Sequence, residues 1–91
     1  MAVMVRIASP LQPLTDGQPS VEAVGATLRE VMADLEARFA GLREWLRDDE
    51  GRLRRYINLY VNDDDARALR GEETPVGEGD EVSIIPAIAG G

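Results

Sequence analysis

Cysteine and histidine are both absent from the 91-residue sequence. Without cysteine the chain has no disulfide bond and no thiol nucleophile, and without either residue it lacks the commonest zinc ligands. It also has no side chain that ordinarily titrates near neutral pH. We therefore expect no metal site, no bound cofactor and no catalytic residue in this chain, and we expect packing alone to hold its small core.

Lysine is absent as well, since the ten basic residues are all arginine. The chain therefore has no side-chain amine for acylation, Schiff-base chemistry or isopeptide formation. It cannot build side-chain-linked polymers of itself, although it can still be joined once to another protein.

Positive charge is scarce, because 17 acidic residues against ten basic ones leave a net charge of −7. Nucleic acid and anionic lipid are bound through a surplus of lysine and arginine, so we expect neither as a partner. No apolar run approaches the ~20 residues of a membrane span, and the N-terminus lacks the regions of a signal peptide. We expect a cytoplasmic protein, monomeric when free, with neutral or basic protein partners.

The length allows one domain, and apolar residues alternate with polar ones in several short segments. This alternation predicts strands at 2–8, 20–24, 56–62 and 81–85, with a short edge strand at 66–69. Proline and glycine mark turns or loops at 9–19 and 71–80. Pro86 lacks the amide hydrogen that extends a ladder, so we expect residues 87–91 to leave the sheet as a free tail.

One main helix is predicted to begin at Thr27, because Thr27 and Glu30 have the spacing of a capping box. Apolar residues then recur at helical spacing, at Leu28, Val31, Met32, Leu35 and Phe39. Gly41 is predicted to end this helix. A short second helix is predicted over 42–48, with Leu42, Trp45 and Leu46 on its apolar face.

Three local patterns that suggest a ligand are better explained as ordinary structure. The acidic run 63–65 lacks the spacing of a calcium loop and is interpreted as a solvated turn. The glycines at 77–80 precede a strand, so they cannot present a helix N-terminus to phosphate. Tyr56 and Tyr60 lack the positive surroundings of a nucleic-acid stacking site.

The C-terminal segment is unusual because it follows a strand with small residues and ends in Gly90 and Gly91. Without a β-carbon, the Gly91 carboxylate can approach a partner's catalytic centre closely. The preceding residues Ile88, Ala89 and Gly90 are slim enough to pass along a narrow channel. An extended run from Pro86 reaches roughly 15 to 20 Å.

These residues resemble the ubiquitin-like sulfur carriers, a family that includes MoaD and ThiS. The resemblance is carried by the Gly-Gly end, VND at 61–63 and GDEVSIIPAIAGG at 79–91. Within the family it is strongest to the carriers of cysteine biosynthesis, through DGQ at 16–18, DLEARF at 34–39, RYINLYVNDDDAR at 55–67 and PAIAGG at 86–91. It implies an α+β, β-grasp domain over 1–86, with a mixed sheet of four to five strands on one main helix, and a flexible tail over 87–91.

The resemblance also implies that this protein is a substrate and carrier with no catalysis of its own. A ThiF/MoeB-type activating enzyme would use ATP to adenylate Gly91, and a sulfur donor would convert the product to a thiocarboxylate. In cysteine biosynthesis, a CysM-type synthase with pyridoxal phosphate would accept the sulfur. A Mec-type metalloprotease would then release cysteine. Every cofactor would belong to a partner enzyme.

Other members of the same fold leave alternatives open. The protein could serve as a MoaD-like small subunit of molybdopterin synthase or as a ThiS-like carrier for thiamine synthesis. From another class, a ubiquitin-like modifier joins the same Gly-Gly end to a target's lysine. We rank the sulfur carrier first, the modifier below it and an independent enzyme last.

The alternation of the strands also predicts a docking surface for these partners. If the apolar residues of one parity face the helix, then Met4, Arg6, Tyr60 and Ile85 face outward. We therefore predict that partner enzymes dock on this outward sheet face.

Overall fold

Five strands form one mixed sheet in the computed structural model, which describes residues 2–87. In chain order the strands are β1 (Ala2–Ile7), β2 (Ser20–Val24), β3 (Ile57–Val61), β4 (Asp64–Asp65) and β5 (Glu81–Pro86). Their order across the sheet is β2-β1-β5-β3-β4. The central strands β1 and β5 run parallel, and the other neighbours are antiparallel. The prediction of a mixed sheet is confirmed.

One face of the sheet is covered by the helices α1 (Leu28–Arg38) and α2 (Ala40–Leu46). The inward strand residues are at most 7 % exposed, as the alternation predicts: Val3, Val5, Ile7, Ile57, Leu59, Val61, Val82 and Ile84. The helices complete the core with Leu28, Val31, Met32, Leu35, Leu42 and Leu46. Within residues 2–87, no helix is both long and apolar enough to span a bilayer.

Helix α1 begins as predicted but ends earlier. The Thr27 hydroxyl accepts a hydrogen bond from the Glu30 amide at 3.3 Å. The prediction that Gly41 ends this helix is wrong, because helical geometry stops at Phe39 (φ −127°, ψ 85°) and Gly41 lies inside α2. This break redirects the chain while Phe39 packs against the core. Helix α2 therefore spans Ala40–Leu46 rather than 42–48.

The predicted edge strand at 66–69 is also wrong. The residues that pair with β3 are Asp64 and Asp65, and Ala66–Ala68 form a 3-10 turn. The turn forms because the Asp65 carboxylate accepts a hydrogen bond from the Arg67 amide at 2.8 Å and Ala66 is buried. Likewise, the turn-rich segment after β1 contains a 3-10 helix, Ser9–Thr15, whose Leu11 is buried.

Strand β5 ends one residue later than the predicted strand 81–85, because Pro86 is still paired in the sheet. It is the last residue of β5 and lies opposite Ile57. On the β3 side, the Glu81 carbonyl accepts a hydrogen bond from the Asn62 amide and the Ala87 amide donates to the Tyr56 carbonyl. On the β1 side, the Ile84 carbonyl accepts from the Ala8 amide. By this alternation the Pro86 nitrogen faces the β1 side, beyond the end of β1. The missing amide hydrogen therefore costs no ladder hydrogen bond.

Candidate functional site

The end of β5 is the part of the described chain that lies nearest in sequence to Gly91. Because β1 and β5 are parallel, their carboxyl ends lie at the same edge, beside the start of β3. The Ala87 amide donates a hydrogen bond to the Tyr56 carbonyl there. Gly91, the predicted reactive residue, lies outside the described residues. The predicted access residues Ile88, Ala89 and Gly90 also lie outside them. The described chain therefore reaches Ala87, four residues before Gly91.

The predicted docking residues lie on the sheet face opposite the helices, in neighbouring rows. Arg6 is paired with Ser83, and Ser83 is paired in turn with Tyr60, so these three side chains form one row across the sheet. Ile85 lies two residues further along β5, toward the tail. Met4 lies two residues from Arg6 in the opposite direction.

This outer face contains a shallow concavity of about 670 Å³, which we call the outer hollow. Three of the four predicted docking residues line it, namely Arg6, Tyr60 and Ile85. Met4 is 39 % exposed but is not among its lining residues. The structure therefore brings three of the predicted residues together and leaves Met4 to one side.

The outer hollow combines apolar and polar groups. Ile85 is 43 % exposed, and Tyr60 is half-buried. The Arg6 guanidinium lies 3.8 Å from the Glu81 carboxylate, and both side chains are exposed, so this pair contributes little stability and is free to exchange partners. Such a surface suits a protein partner better than a small apolar ligand.

A polar cluster borders the hollow beyond Tyr60. The Arg67 guanidinium lies 2.9 Å from the Asp65 carboxylate and also donates to the Asn58 side-chain oxygen. Hydrogen bonds from Arg67 lower the pKa of Asp65, and the Asp65 carboxylate raises the pKa of Arg67. Asp65, the last residue of the acidic run 63–65, therefore acts as an ion-pair partner. Within residues 2–87, no group of three or more acidic side chains is arranged to hold a metal ion.

An aromatic pair beside Ala87 was missed in the sequence. Trp45 has the spacing of a core residue, but it is 45 % exposed, whereas Leu42 and Leu46 are buried. Its ring meets that of Tyr56 edge to face, with 5.9 Å between centroids and 83° between planes. Tyr56 is itself 40 % exposed. Spacing alone could not have found this pair, because it depends on how α2 is rotated against the core.

A buried ion cluster holds α2 in that orientation. Arg47 follows the last residue of α2, and its side chain is 9 % exposed. Its guanidinium lies 2.8 Å from the Glu36 carboxylate on α1 and 2.6 Å from the Glu72 carboxylate in the 3-10 turn Gly71–Glu73. Hydrogen bonds with Glu72 raise the pKa of Arg47 and lower the pKa of Glu72. Nothing in the sequence pattern signals this cluster.

The sheet order and the helix layer define a ubiquitin-like β-grasp protein. The chain belongs to the ThiS family, which matches residues 5–91. It is 48 % identical to the sulfur carrier protein CysO of Mycobacterium tuberculosis over 93 aligned residues, covering 100 % of both chains. The resemblance drawn from the sequence is confirmed.

Two further similarities bear on function. A chain in the crystal structure of the BexX/CysO complex from Amycolatopsis orientalis superposes with a TM-score of 0.88 at 47 % identity, covering 98 % of this chain and 99 % of that one. The small archaeal modifier protein 3 of Haloferax volcanii is 36 % identical over 66 residues, covering 72 % of this chain and 71 % of the modifier. Carriers and modifiers are thus both among its relatives.

Proposed function

We propose that this protein is a sulfur carrier whose Gly91 carboxyl group is converted to a thiocarboxylate, and that the sulfur is delivered to cysteine biosynthesis. The observation that carries the proposal is the full-length similarity to CysO sulfur carriers, at 48 % identity. The Gly90 and Gly91 pair at the end of the sequence supports it, because this pair supplies an unhindered carboxylate.

Activation of Gly91 requires a partner, because a C-terminal carboxylate with a pKa of about 3.5 is ionised at neutral pH and is a poor electrophile. In a ThiF/MoeB-type enzyme, the carboxylate oxygen attacks the α-phosphorus of ATP, which releases pyrophosphate and forms an acyl adenylate. A donor that supplies sulfur at the oxidation level of hydrosulfide then attacks the acyl carbon, and AMP leaves. The product is a thiocarboxylate, in which sulfur is a soft nucleophile.

Delivery to cysteine requires two further partners. In a CysM-type synthase that uses pyridoxal phosphate, the sulfur attacks the β-carbon of an activated serine, whose phosphate or acetate group departs. The amino nitrogen of the resulting S-acylated cysteine then attacks the acyl carbon, and the cysteine sulfur leaves as a free thiol, so the thioester becomes an amide. A Mec-type metalloprotease hydrolyses this amide, which releases cysteine and regenerates the Gly91 carboxylate.

The fold is consistent with this role because the tail departs beside exposed surface. The described chain reaches Ala87 at the end of a central strand, and the outer hollow lies on the neighbouring rows of β5 and β3. A partner can therefore contact the folded domain while the tail enters its active site. We propose the outer face, including Met4, Arg6, Tyr60 and Ile85, as the docking surface.

The test uses carrier with a synthetic thiocarboxylate at Gly91, mixed with a CysM-type synthase and O-phosphoserine or O-acetylserine. Intact-protein mass spectrometry should show the addition of one cysteine to the carrier. The carboxylate form is the matched control and should gain nothing, since oxygen is the weaker nucleophile. If the thiocarboxylate stays unchanged but supports dithiolene formation with the large subunit of molybdopterin synthase, the MoaD-like assignment replaces this one.

The activation step has its own test. Deleting Gly91, or replacing Gly90 with Trp, should abolish ATP-pyrophosphate exchange by the activating enzyme, because the terminal carboxylate is then one residue too short to reach the active site or is denied access by the bulky side chain. Both changes lie outside residues 2–87, so circular dichroism should stay unchanged. Undiminished exchange with either variant would contradict the role of Gly91.

A second candidate is a protein modifier, which the similarity to the small archaeal modifier protein favours. Both roles begin with adenylation of Gly91, so the ATP-pyrophosphate exchange assay does not distinguish a carrier from a modifier. Proteomics of the native cells does: a modifier leaves the Gly91 carboxyl joined to lysines of other proteins, whereas a carrier leaves oxygen-to-sulfur exchange or an added cysteine on itself.

A further inference from the structure

The aromatic pair of Trp45 and Tyr56 is an exposed apolar feature that the fold does not require. The chain has one tryptophan and two tyrosines, yet Trp45 and Tyr56 are 45 % and 40 % exposed. Both buried apolar residues of α2, Leu42 and Leu46, already satisfy its contact with the core. Large exposed aromatics of this kind are enriched at the centres of protein interfaces.

The aromatic pair adjoins the point where the tail departs. The Ala87 amide donates to the Tyr56 carbonyl, which continues the β3–β5 ladder by one pair beyond Ile57 and Pro86. Exposed Ile85 lies two residues before Ala87 on the outer face, about 7 Å along the strand. Exposed apolar side chains therefore lie on both strands that meet at Ala87, with Ile85 on β5 and Tyr56 at the start of β3.

The length of the tail limits where a partner can sit. Gly91 is the fourth residue after Ala87, and four extended residues span at most about 14 Å. An enzyme whose active site holds the Gly91 carboxylate must therefore cover the surface around Ala87. The tail itself offers few side-chain atoms, so the specific binding energy has to come from the surface of the folded domain around Ala87.

We infer that the enzyme that activates Gly91 binds the folded domain of this carrier through the side chains of Trp45 and Tyr56. We call these two residues the anchor. The inference rests on the proposed function. Arg55, next to Tyr56, is exposed and forms no ion pair with another group in residues 2–87. The matching surface on the activating enzyme is thus an apolar socket for the aromatic pair, with a carboxylate at its edge facing Arg55.

The first test measures ATP-pyrophosphate exchange by the activating enzyme at varied carrier concentration. Trp45→Ala should raise KM for the carrier about 5- to 30-fold, the factor that one to two kcal/mol of lost contact produces. Val24→Ala is the matched control, because Val24 is 60 % exposed but lies opposite Ala2, at the far end of the sheet from the tail. Arg55→Glu should also raise KM for the carrier. Arg55→Lys, which keeps the positive charge, should leave KM close to the wild-type value.

A second test needs no truncation of the anchor. Because Trp45 is the single tryptophan, carrier grown with 5-fluorotryptophan gives one ¹⁹F resonance. Titration with unlabelled activating enzyme and ATP should shift or broaden this resonance in proportion to complex formed. The resonance of a carrier lacking Gly90 and Gly91 should respond as well, at higher enzyme concentration, since the anchor is on the folded domain.

The outcomes separate this inference from the proposed function. An unchanged KM for Trp45→Ala, or an unchanged ¹⁹F resonance on saturation with enzyme, would overturn the anchor while normal exchange by the wild type leaves the carrier role intact. If the wild type itself supports no exchange with its activating enzyme, the proposed function fails and the anchor fails with it.

Discussion

The guanidinium of Arg47 and the carboxylate of Glu72 form a bidentate ion pair, with Nη1 2.9 Å from Oε2 and Nη2 2.6 Å from Oε1. The third donor, Nε, lies 2.8 Å from the Glu36 carboxylate. One side chain therefore joins α1, the end of α2 and the 3-10 turn Gly71–Glu73. These contacts fix the orientation of α2, and with it the surface position of Trp45.

Removing Arg47 should destabilise the fold strongly. Arg47→Ala leaves Glu36 and Glu72 facing each other without their cation, and breaking a buried pair of this kind costs about 3 to 5 kcal/mol. Urea unfolding followed by circular dichroism measures the free energy of unfolding. The control is Arg52→Ala, whose ion pair with Glu50 is 73 % and 69 % exposed, and which should change stability by less than about 0.5 kcal/mol. Equal losses from both variants would contradict a special role for Arg47.

The Glu72 pair should make stability depend on pH in the acidic range. Hydrogen bonds from Arg47 hold the pKa of Glu72 below its ordinary value of 4.5. The unfolded chain therefore binds the proton first, so this stabilisation is complete above the unfolded pKa and is lost as pH falls through the folded one. The stability difference between wild type and Glu72→Gln should be largest at neutral pH and shrink below about pH 4. A difference that stays constant down to pH 2 would contradict the shift.

Gly25 is predicted not to tolerate substitution by a residue that has a β-carbon. A β-carbon at this position would lie 2.7 Å from the Val31 amide nitrogen at the start of α1. Because backbone must move to admit it, Gly25→Ala should lower the free energy of unfolding by about 1 to 3 kcal/mol. Gly41→Ala should do the opposite and stabilise by about 0.5 to 1 kcal/mol, since Gly41 lies inside α2 and its nearest neighbour would be Leu14 at 3.4 Å. Thermal unfolding of the two variants tests the contrast.

Ile85→Asp tests the outer hollow as a docking surface. The change places a charge where a partner would bury an apolar side chain, so binding to the activating enzyme or the synthase should weaken by about 1 to 3 kcal/mol. The fold should survive, because Ile85 is 43 % exposed. Isothermal titration against both enzymes gives the affinity, and Val24→Asp at the far end of the sheet is the control. Unchanged affinity for both enzymes would remove the outer hollow from the interface.

Much of this architecture was predictable because alternation and helical spacing are local properties of the chain. The structure confirms the predicted burial of the inward-facing strand residues between Val3 and Ile84. It also confirms the capping of α1 by Thr27 and four of the five strands. The errors came where nonlocal contacts outweighed local signals. Phe39 ended α1 before Gly41 because it packs against the core, and Pro86 stayed in β5 because β1 ends before reaching it.

The sequence by itself determined the class of this protein: one small β-grasp domain without thiol, imidazole or side-chain amine, ending in Gly90 and Gly91. It also determined which strand residues face inward, since that follows from a period of two. Only the tertiary structure decided that Arg6, Tyr60 and Ile85 share a hollow without Met4, that Arg47 is buried between Glu36 and Glu72, and that Trp45 and Tyr56 meet beside Ala87. These contacts join residues far apart in the chain, and their geometry depends on strand order and helix rotation, which no local pattern encodes.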